Sequence, residues 1–357
     1  MIETVTSVAL PIDEKLMIKK NRILPMAFAE KANAADREAA GEANAADRKL
    51  AESLPALSAG NENAAYREAV EALPRICVVT GIHGDELEGQ YVCYELQRRI
   101  AENYSALTGI VDIYPAMNPL GIDSITRGIP AFDLDMNRLF PGNIDGNMTE
   151  FLAAGIVRDV KGADCVLDIH ASNIYLTEIP QIRINELHRD RLVPLAEKAN
   201  VDFIWVHGAS TVLESTFAYS LNSIGTPVLV VEMGVGMRLT EEYGNQLVDG
   251  IFSLMKELGI WTGGAAPVRK PMLSEDPDDV CYLNAGASGL FVPAVKHGSR
   301  LKEGELIGRI VDPLRGEVLE EVKSPIDGML FTIRDYPIVD EGSLMGRILK
   351  AEVCCYE

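Results

Sequence analysis

The stretch Ile76–Glu86, Ile-Cys-Val-Val-Thr-Gly-Ile-His-Gly-Asp-Glu, joins an apolar run to a glycine-rich turn that carries a histidine and carboxylates. The run Ile76–Thr80 contains no charged residue, which is typical of a strand that is buried on both faces of a sheet. The two glycines allow the tight backbone that such a turn needs. The stretch therefore predicts a buried strand whose carboxyl end presents His83 and Glu86.

Four further apolar runs repeat this pattern along the chain. They are Ile110–Tyr114, Val166–Ile169, Phe203–Val206 and Val228–Val231, and helix-length segments between and after them include Glu86–Ala101, Glu150–Lys161, Asp190–Asn200 and Thr240–Leu258. Apolar strands that are spaced by helices indicate a sheet covered on both faces. The predicted fold class is therefore α/β, with a mixed, mostly parallel sheet flanked by helices on both faces.

Histidines and carboxylates follow three of these runs at the point where each predicted strand ends. His83 and Glu86 follow the first run, His170 follows Val166–Ile169, and Glu232 follows Val228–Val231. Ligands of such sheets bind beyond the carboxyl ends of the strands. We therefore expect these four side chains to meet in one site.

Two histidines and one carboxylate leave one tetrahedral position open for water, which is the arrangement of a catalytic zinc ion. Glu232 arrives from a separate strand and is a candidate base that does not bind the metal. A lone His-x-x-Glu pair is common by chance, so the prediction rests on the coincidence of all four residues. His207 also ends an apolar run and is the rival ligand. Asp168 either orients an imidazole or is a satisfied buried carboxylate, and the sequence leaves both open.

A loop rich in glycine and proline lies between the second and third of these strands and carries Arg127, Asn137 and Arg138. Arginines in such a loop can bind a carboxylate with two hydrogen bonds or stabilise a developing oxyanion. They can equally pair with Asp133 and Asp135 of the same loop. The sequence does not decide between these two interpretations.

Near the C-terminus, Leu301–Ile310 reappears in similar form as Val339–Ile348, and short β-type runs alternate with Gly and Pro around both copies. This spacing predicts a small all-β module, with a linker before it near residue 266. The predicted domains are thus 1–265 and 266–357. The module resembles the barrel-sandwich fold of biotinyl and lipoyl carriers, but the expected attachment position near Glu317 holds no lysine. We therefore expect the module to form a wall beside the active site rather than to carry a cofactor on a swinging arm.

An alanine-rich segment with a repeated Ala-Asn-Ala-Ala-Asp-Arg motif spans residues 30–72. Its composition predicts helix, but it has few large apolar residues with which to form a core. We interpret it as an exposed helical insertion in the first domain.

Charge and composition exclude several classes of partner. The chain has 357 residues and a formal net charge of -20, which argues against nucleic acid and anionic membranes as partners. No apolar run approaches the ~20 residues of a membrane span, and the start lacks the pattern of a signal peptide. We expect a cytoplasmic protein. Its scattered cysteines are expected to be buried free thiols. The sequence is also compatible with a homo-oligomer.

The motifs Gly81–Glu86, Asp135–Gly142, Asp168–His170 and Val231–Gly234 occur in the order of the succinylglutamate desuccinylase/aspartoacylase family, which the chain resembles over about residues 74–357. The resemblance implies a zinc carboxypeptidase-like fold and a zinc-dependent hydrolase of N-acyl amino acids. Asp85 departs from the usual asparagine of the family without affecting Glu86.

Carried over onto this sequence, the resemblance implies one zinc ion per chain. Its implied ligands are His83, Glu86 and His170, and its implied catalytic residues are Glu232 and Arg127. Asn137 and Arg138 are the implied substrate-binding pair, and Arg183 is a further candidate. The expected function is cleavage of the amide bond of an N-acyl amino acid or a similar small amide. The alternatives are a zinc carboxypeptidase that acts on short peptides and a non-catalytic zinc- or ligand-binding protein.

Overall fold

A computed structural model describes residues 1–11, 13–29, 59–130, 132–208 and 214–354 of the chain. The helices are α1 (Ala59–Glu71), α2 (Glu88–Glu102), α3 (Pro119–Ser124), α4 (Met148–Val160), α5 (Arg189–Ala196), α6 (Phe217–Ser223), α7 (Glu241–Glu257) and α8 (Ala351–Cys354). The strands are β1 (Ile2–Ala9), β2 (Lys15–Ile23), β3 (Arg75–Thr80), β4 (Ile110–Tyr114), β5 (Cys165–Ser172), β6 (Leu176–Asn185), β7 (Phe203–His207), β8 (Val228–Val235), β9 (Met272–Ser274), β10 (Val280–Asn284), β11 (Gly289–Pro293), β12 (Arg300–Leu301), β13 (Leu306–Asp312), β14 (Glu317–Lys323), β15 (Gly328–Arg334), β16 (Ile338–Val339) and β17 (Leu344–Lys350).

The described strands form one large mixed sheet whose path runs β1-β2-β4-β3-β5-β8-β6-β15-β17-β10, with β7, β9 and β12 paired off this path. Strands β4, β3, β5 and β8 at its centre are parallel. Antiparallel strands extend the sheet at both ends. The predicted fold class is confirmed, since a mostly parallel central sheet carries helices on both faces.

The side chains of β3 alternate between two apolar clusters, one on each face of the sheet. Ile76 and Val78 belong to the apolar cluster that includes residues of α2, α5 and α7. Cys77 and Val79 belong to the opposite cluster, which includes residues of α4 and α6. Successive side chains of a strand point to opposite faces, so a strand that is buried on both sides has no polar face in its sequence.

Several strands of the large sheet were not predicted from the sequence. They include the N-terminal pair β1 and β2, strand β6, which lies between β8 and β15, and strand β9, which pairs with β7. Helix α2 begins at Glu88, so Glu86 lies in the loop before the helix.

The C-terminal region contains the predicted antiparallel β-structure. A separate four-stranded sheet has the order β14-β13-β11-β16, while β15 pairs with β6 and joins this region to the large sheet. Each copy of the sequence repeat contains a short strand, a turn with a glycine at positive φ (Gly304 at 81° and Gly342 at 83°) and a longer strand. The domain boundary near residue 266 stays a prediction.

The alanine-rich segment is described only from residue 59. Helix α1 covers its last part, and Val70 and Leu73 pack against Leu24 and Ile110. The described end of the segment is therefore in contact with the rest of the protein. The two identical copies of the repeated motif lie outside the described residues.

Among the described residues, no helix is long and apolar enough to cross a membrane. Among the described residues, Cys77, Cys93 and Cys165 are buried free thiols, as predicted, whereas the free thiol of Cys281 is only partly buried.

Helix α7 packs so closely that one of its glycines is required. A Cβ on Gly250 would lie 1.9 Å from the carbonyl oxygen of Ala199, although alanine is otherwise favoured over glycine inside a helix by ~1 kcal/mol. We expect Gly250→Ala to destabilise the protein by ~1–3 kcal/mol because backbone must move. Urea unfolding measures this, with the exposed Lys256→Ala on the same helix as a near-neutral control. A stabilised Gly250→Ala protein would contradict the packing.

Candidate active site

The carboxyl ends of three adjacent parallel strands carry the predicted site. His83 and Glu86 lie in the loop that follows β3, and His170 lies in β5, the neighbour of β3 in the sheet. Glu232 lies in β8 directly opposite His170 in the strand register. The fold therefore brings together the four predicted residues: strand pairing places His170 and Glu232 side by side, and the loop after β3 supplies His83 and Glu86.

The turn after β3 depends on its glycines. Gly81 adopts a φ of +69°, which residues with a side chain rarely adopt. A Cβ on Gly84 would lie 2.0 Å from the carbonyl carbon of Gly121. The loop is therefore pressed against neighbouring backbone, and this contact directs His83 and Glu86 toward β5.

The three predicted metal ligands converge on one point and are nearly fully buried. The His83 Nδ1 atom lies 2.8 Å from Oε1 of Glu86, and the His170 Nδ1 atom lies 2.9 Å from Oε2 of Glu86. The two Nδ1 atoms are 3.3 Å apart. Among the described residues, these three side chains are the group that could hold a metal ion.

The donor set fits a divalent metal ion. Ligands placed tetrahedrally at zinc–nitrogen and zinc–oxygen distances of ~2.0–2.1 Å are roughly 3.3 Å from one another. The donor atoms of this cluster lie 2.8–3.3 Å apart, with each imidazole next to a different oxygen of Glu86. Two imidazole nitrogens and one carboxylate leave a fourth position for water or substrate.

The charge balance of the cluster favours a cation. Burial alone lowers the pKa of His170, but the Asp168 and Glu86 carboxylates outweigh it and raise that pKa well above its ordinary value. Burial would raise the pKa of Glu86, yet the two imidazoles hold it far below its usual range. A buried carboxylate of this kind needs compensating positive charge, which a metal ion supplies as it displaces imidazole protons.

Each histidine has a carboxylate behind it. The Nε2 atom of His83 lies 3.1 Å from Oδ1 of Asp135. The Nε2 atom of His170 lies 3.2 Å from Oδ1 of Asp168, within ion-pair distance but without the alignment of a hydrogen bond. Carboxylates in this position fix the ring orientation of metal-binding histidines. The placement of Asp168 thus favours the orienting role over the alternative of a merely satisfied carboxylate.

Arg127 lies at the edge of the cluster. Its Nη1 atom is 2.8 Å from Oε1 of Glu86 and its Nε atom is 3.7 Å from Oδ2 of Asp135. The side chain is 41% exposed, so it contacts the cluster from the solvent side. Both interpretations of the loop apply to it, since it pairs within the loop and also faces the site.

Asn137 and Arg138 line the same cleft. The Oδ1 atom of Asn137 accepts a hydrogen bond of 2.9 Å from the backbone N–H of Phe217, where α6 begins. Arg138 donates to the carbonyl of Asn137 at 2.8 Å and lies 4.0 Å from Asp135. Asn137 therefore connects the loop to α6. The guanidinium of Arg138 lines the cleft, and its one ion pair within the described residues is this long contact with Asp135.

Glu232 stands beside the metal cluster and is largely buried. Burial raises its pKa, and the positive charge of Arg183 counteracts part of that rise. The Nη1 atom of Arg183 is 3.3 Å from Oε1 of Glu232. Arg183, a further candidate from the sequence, thus contacts the predicted base rather than the metal ligands.

The candidate site residues line one cleft with a volume of about 570 Å³; they are His83, Glu86, Arg127, Asn137, Arg138, His170, Arg183 and Glu232. His207 lines it too but lies outside the ligand cluster, with its Nδ1 atom 3.2 Å from the carbonyl of Gly208. His188 is another partly buried residue that lines the cleft. Glu178 and Arg347 also line the cleft, and sequence reasoning missed both.

Comparisons with known proteins cover the part of the chain that contains this site. Residues 72–258 match the sequence model of the succinylglutamate desuccinylase/aspartoacylase catalytic domain. The N-alpha-acetyl-L-2,4-diaminobutyric acid deacetylase of Halomonas elongata is 28% identical over 275 residues, which cover 75% of this chain and 80% of that protein.

Solved structures extend the similarity. A succinylglutamate desuccinylase/aspartoacylase from Rhodobacter sphaeroides is 26% identical, with a TM-score of 0.65 over 78% of this chain and 86% of that one. A protein of the same description from Shewanella frigidimarina shares the fold, with a TM-score of 0.69 over 98% of this chain and 96% of that one at 15% identity.

The geometry predicts which substitutions remove a bound metal. We expect His83→Ala, Glu86→Ala and His170→Ala each to abolish stoichiometric binding of a divalent ion, because each deletes one of three buried ligands. His207→Ala should keep the metal and serves as the control from the same cleft. The measurement is the metal-to-protein ratio by elemental analysis. Binding that survives His170→Ala but vanishes with His207→Ala would contradict the assignment.

Proposed function

The chain belongs to the succinylglutamate desuccinylase/aspartoacylase family, and from this premise we propose that it is a zinc-dependent amidohydrolase that removes the acyl group from an N-acyl amino acid. The observation that carries the proposal is the buried His83–Glu86–His170 cluster with Glu232 directly opposite His170 in the next strand. A nearby carboxylate that does not bind the metal can act as a general base in hydrolysis, whereas a structural metal site has no use for one.

In this proposal His83, Glu86 and His170 hold one zinc ion per chain. When bound, zinc polarises the amide carbonyl and lowers the pKa of a water molecule to about 7. Asp135 and Asp168 keep the two imidazoles in the orientation that directs Nδ1 toward the ion.

Glu232 carries the proton in the proposed reaction. Its carboxylate accepts a proton from the attacking water, and the carboxylic acid so formed delivers that proton to the nitrogen of the leaving amine as the C–N bond breaks. Burial raises its pKa above that of a surface glutamate, which brings it closer to the neutral range in which proton transfer in both directions is effective.

Arginines of the loop between β4 and β5 bind the rest of the substrate in the proposal. Arg127, next to Glu86, donates hydrogen bonds to the oxyanion that develops on the carbonyl oxygen. Arg138 binds the substrate carboxylate. The Oδ1 atom of Asn137 already accepts a hydrogen bond from the backbone of Phe217, so in the proposal its amide nitrogen donates to the substrate.

A small amide is the substrate class that the cleft fits. Its volume of about 570 Å³ is within the ~300–1,000 Å³ of small-molecule sites. The Halomonas elongata relative is named as a deacetylase of an acetylated amino acid. This similarity supports an N-acyl amino acid as the substrate of the present protein. The rival activity is a carboxypeptidase of short peptides, and product analysis on acetyl- and succinyl-amino acids and dipeptides distinguishes the two.

The proton-transfer role predicts the effect of Glu232→Gln. We expect this variant to retain its metal and to lose kcat by ~10²–10⁴-fold, because glutamine has the same shape but accepts no proton. Steady-state rates and metal analysis on the same preparations test it. Full turnover with full metal content would show that Glu232 is not the proton carrier.

The carboxylate-binding role predicts a separate effect for Arg138→Lys. Lysine keeps the charge but loses the two-pronged geometry, so we expect KM for carboxylate substrates to rise about tenfold, or ~1.4 kcal/mol. A substrate amidated at that carboxylate should be poor for the wild type and insensitive to the change.

The matched control is Arg98→Lys, since Arg98 is 44% exposed and Arg138 42% and Arg98 lies on α2 away from the cleft. Hydrolysis of the amidated substrate as fast as the free acid would show that Arg138 recognises no carboxylate.

A further inference from the structure

A buried carboxylate outside the metal cluster connects the C-terminal strands to the cleft. Glu178 of β6 is fully buried and lies opposite Thr332 of β15, which in turn lies opposite Arg347 of β17. Residues in such a cross-strand row are close enough for their side chains to interact. The row therefore runs from the hydrolase sheet into the repeat-containing C-terminal region.

Glu178 is held from both sides by charge-assisted hydrogen bonds. Arg347 donates from Nη1 to its Oε1 atom at 2.6 Å, and Arg183 donates from Nη2 to its Oε2 atom at 2.8 Å. Thr332 donates to Oε1 at 3.1 Å. Two guanidinium groups thus share one carboxylate that has no access to water.

Arg183 divides its guanidinium between two carboxylates. Its Nη2 atom binds Glu178, while its Nη1 atom lies 3.3 Å from Oε1 of Glu232. Within the described part of the chain, Arg183 is the basic side chain within 4 Å of Glu232. The ring of Trp205 lies 5.9 Å from the guanidinium carbons of both Arg183 and Arg347 and limits their movement.

The four charges alternate in sign in the order Glu232, Arg183, Glu178, Arg347. A buried charge is costly unless an opposite charge compensates it. Without Arg347, Glu178 would have Arg183 as its remaining cation, and Arg183 would be drawn toward Glu178 and away from Glu232. The position of Arg183 near Glu232 therefore depends on a residue of the C-terminal region.

We propose that Arg183 is a positioning residue for Glu232, and that Arg347 of the C-terminal strand β17 holds it in place through Glu178. This inference rests on the proposed role of Glu232 as proton carrier. The C-terminal region would then do more than form one side of the cleft, because the correct placement of Glu232 requires Arg347.

The sequence repeat supplies a matched control. Arg347 occupies the Gly-Arg-Ile position of the second copy, and Arg309 occupies the same position of the first copy. Arg309 is 46% exposed and pairs with Glu321 at 3.5 Å, away from the cleft. Arg347→Met and Arg309→Met therefore remove the same group from equivalent strands of the repeat.

The experiment compares these two variants in the full chain with an N-acetyl amino acid that the wild type hydrolyses. We expect Arg347→Met to lower kcat by about tenfold or more with KM within about twofold and unchanged metal content, since small displacements of reacting groups cost up to ~100-fold in rate. Arg309→Met should match the wild type. Equal kcat values for the two variants, or a loss of metal with Arg347→Met, would overturn the proposal.

A double substitution separates positioning from a general loss of structure. If Arg347 acts through Arg183, then Arg183→Met/Arg347→Met is no slower than Arg183→Met alone, because the first change has already released Glu232. Multiplicative losses of kcat would mean that Arg347 acts independently, and would overturn the chain of contacts. Arg347→Lys should recover part of the rate.

Thr332→Val keeps the test decisive if Arg347→Met does not fold. It removes one hydrogen bond to Glu178 with little change in shape, and we expect a severalfold lower kcat at constant KM. An unchanged kcat would overturn the proposal.

Glu232→Gln is measured in parallel so that failure of this inference can be told from failure of the proposed function. If Glu232→Gln is inactive while the network variants are fully active, only the positioning role fails. Full activity of Glu232→Gln overturns the proposed function as well.

Discussion

The burial of the Glu86 carboxylate between two imidazoles is the constraint on which the rest of the site depends. Its oxygens lie 2.8 and 2.9 Å from the Nδ1 atoms of His83 and His170. Such a charge is stable away from water only when cations or donors surround it. The tight turn after β3, the carboxylates behind each histidine and the arginine at the edge of the cluster all serve this one requirement.

Parallel pairing of β3, β5 and β8 converts this local constraint into a reaction centre. Because the strands are in register, the residue opposite His170 is Glu232, and no loop has to place the base beside the metal ligands. A group carried by a strand interior is held more rigidly than one carried by a loop. The loop residues Arg127 and Arg138, by contrast, are about 40% exposed and can adapt to a substrate.

Much of this arrangement could be predicted from the sequence because it lies at the ends of uniformly apolar runs, where the signal is local. His83, Glu86, His170 and Glu232 all follow such runs. Strand β6 was missed because its sequence contains Pro180 and charged residues, which argue against a central strand. Its partners supply the reason it forms, since β8, β15 and β7 all pair with it.

The role of Arg347 shows a different limit. Both copies of the repeat contain the same Gly-Arg-Ile sequence, and nothing local distinguishes the arginine that reaches Glu178 from the one that pairs with Glu321 at the surface. Only the pairing of β15 with β6 brings the second copy to the cleft. Contacts of this kind depend on the order of the strands in the sheet, which no local stretch of the sequence reveals.

The distribution of charge is compatible with the anionic substrate that we propose for this acidic protein. The chain has a formal net charge of -20, but exposed charges are screened beyond ~8–10 Å at physiological salt. Inside the cleft, Arg347 pairs with Glu178, and Arg183 pairs with both Glu178 and Glu232. Arg127 pairs with Glu86. Arg138 has the weakest ion pair of the four arginines that line the cleft, at 4.0 Å from Asp135. The positive charge that remains for a substrate carboxylate is therefore concentrated at one side chain, on the solvent side of the metal cluster.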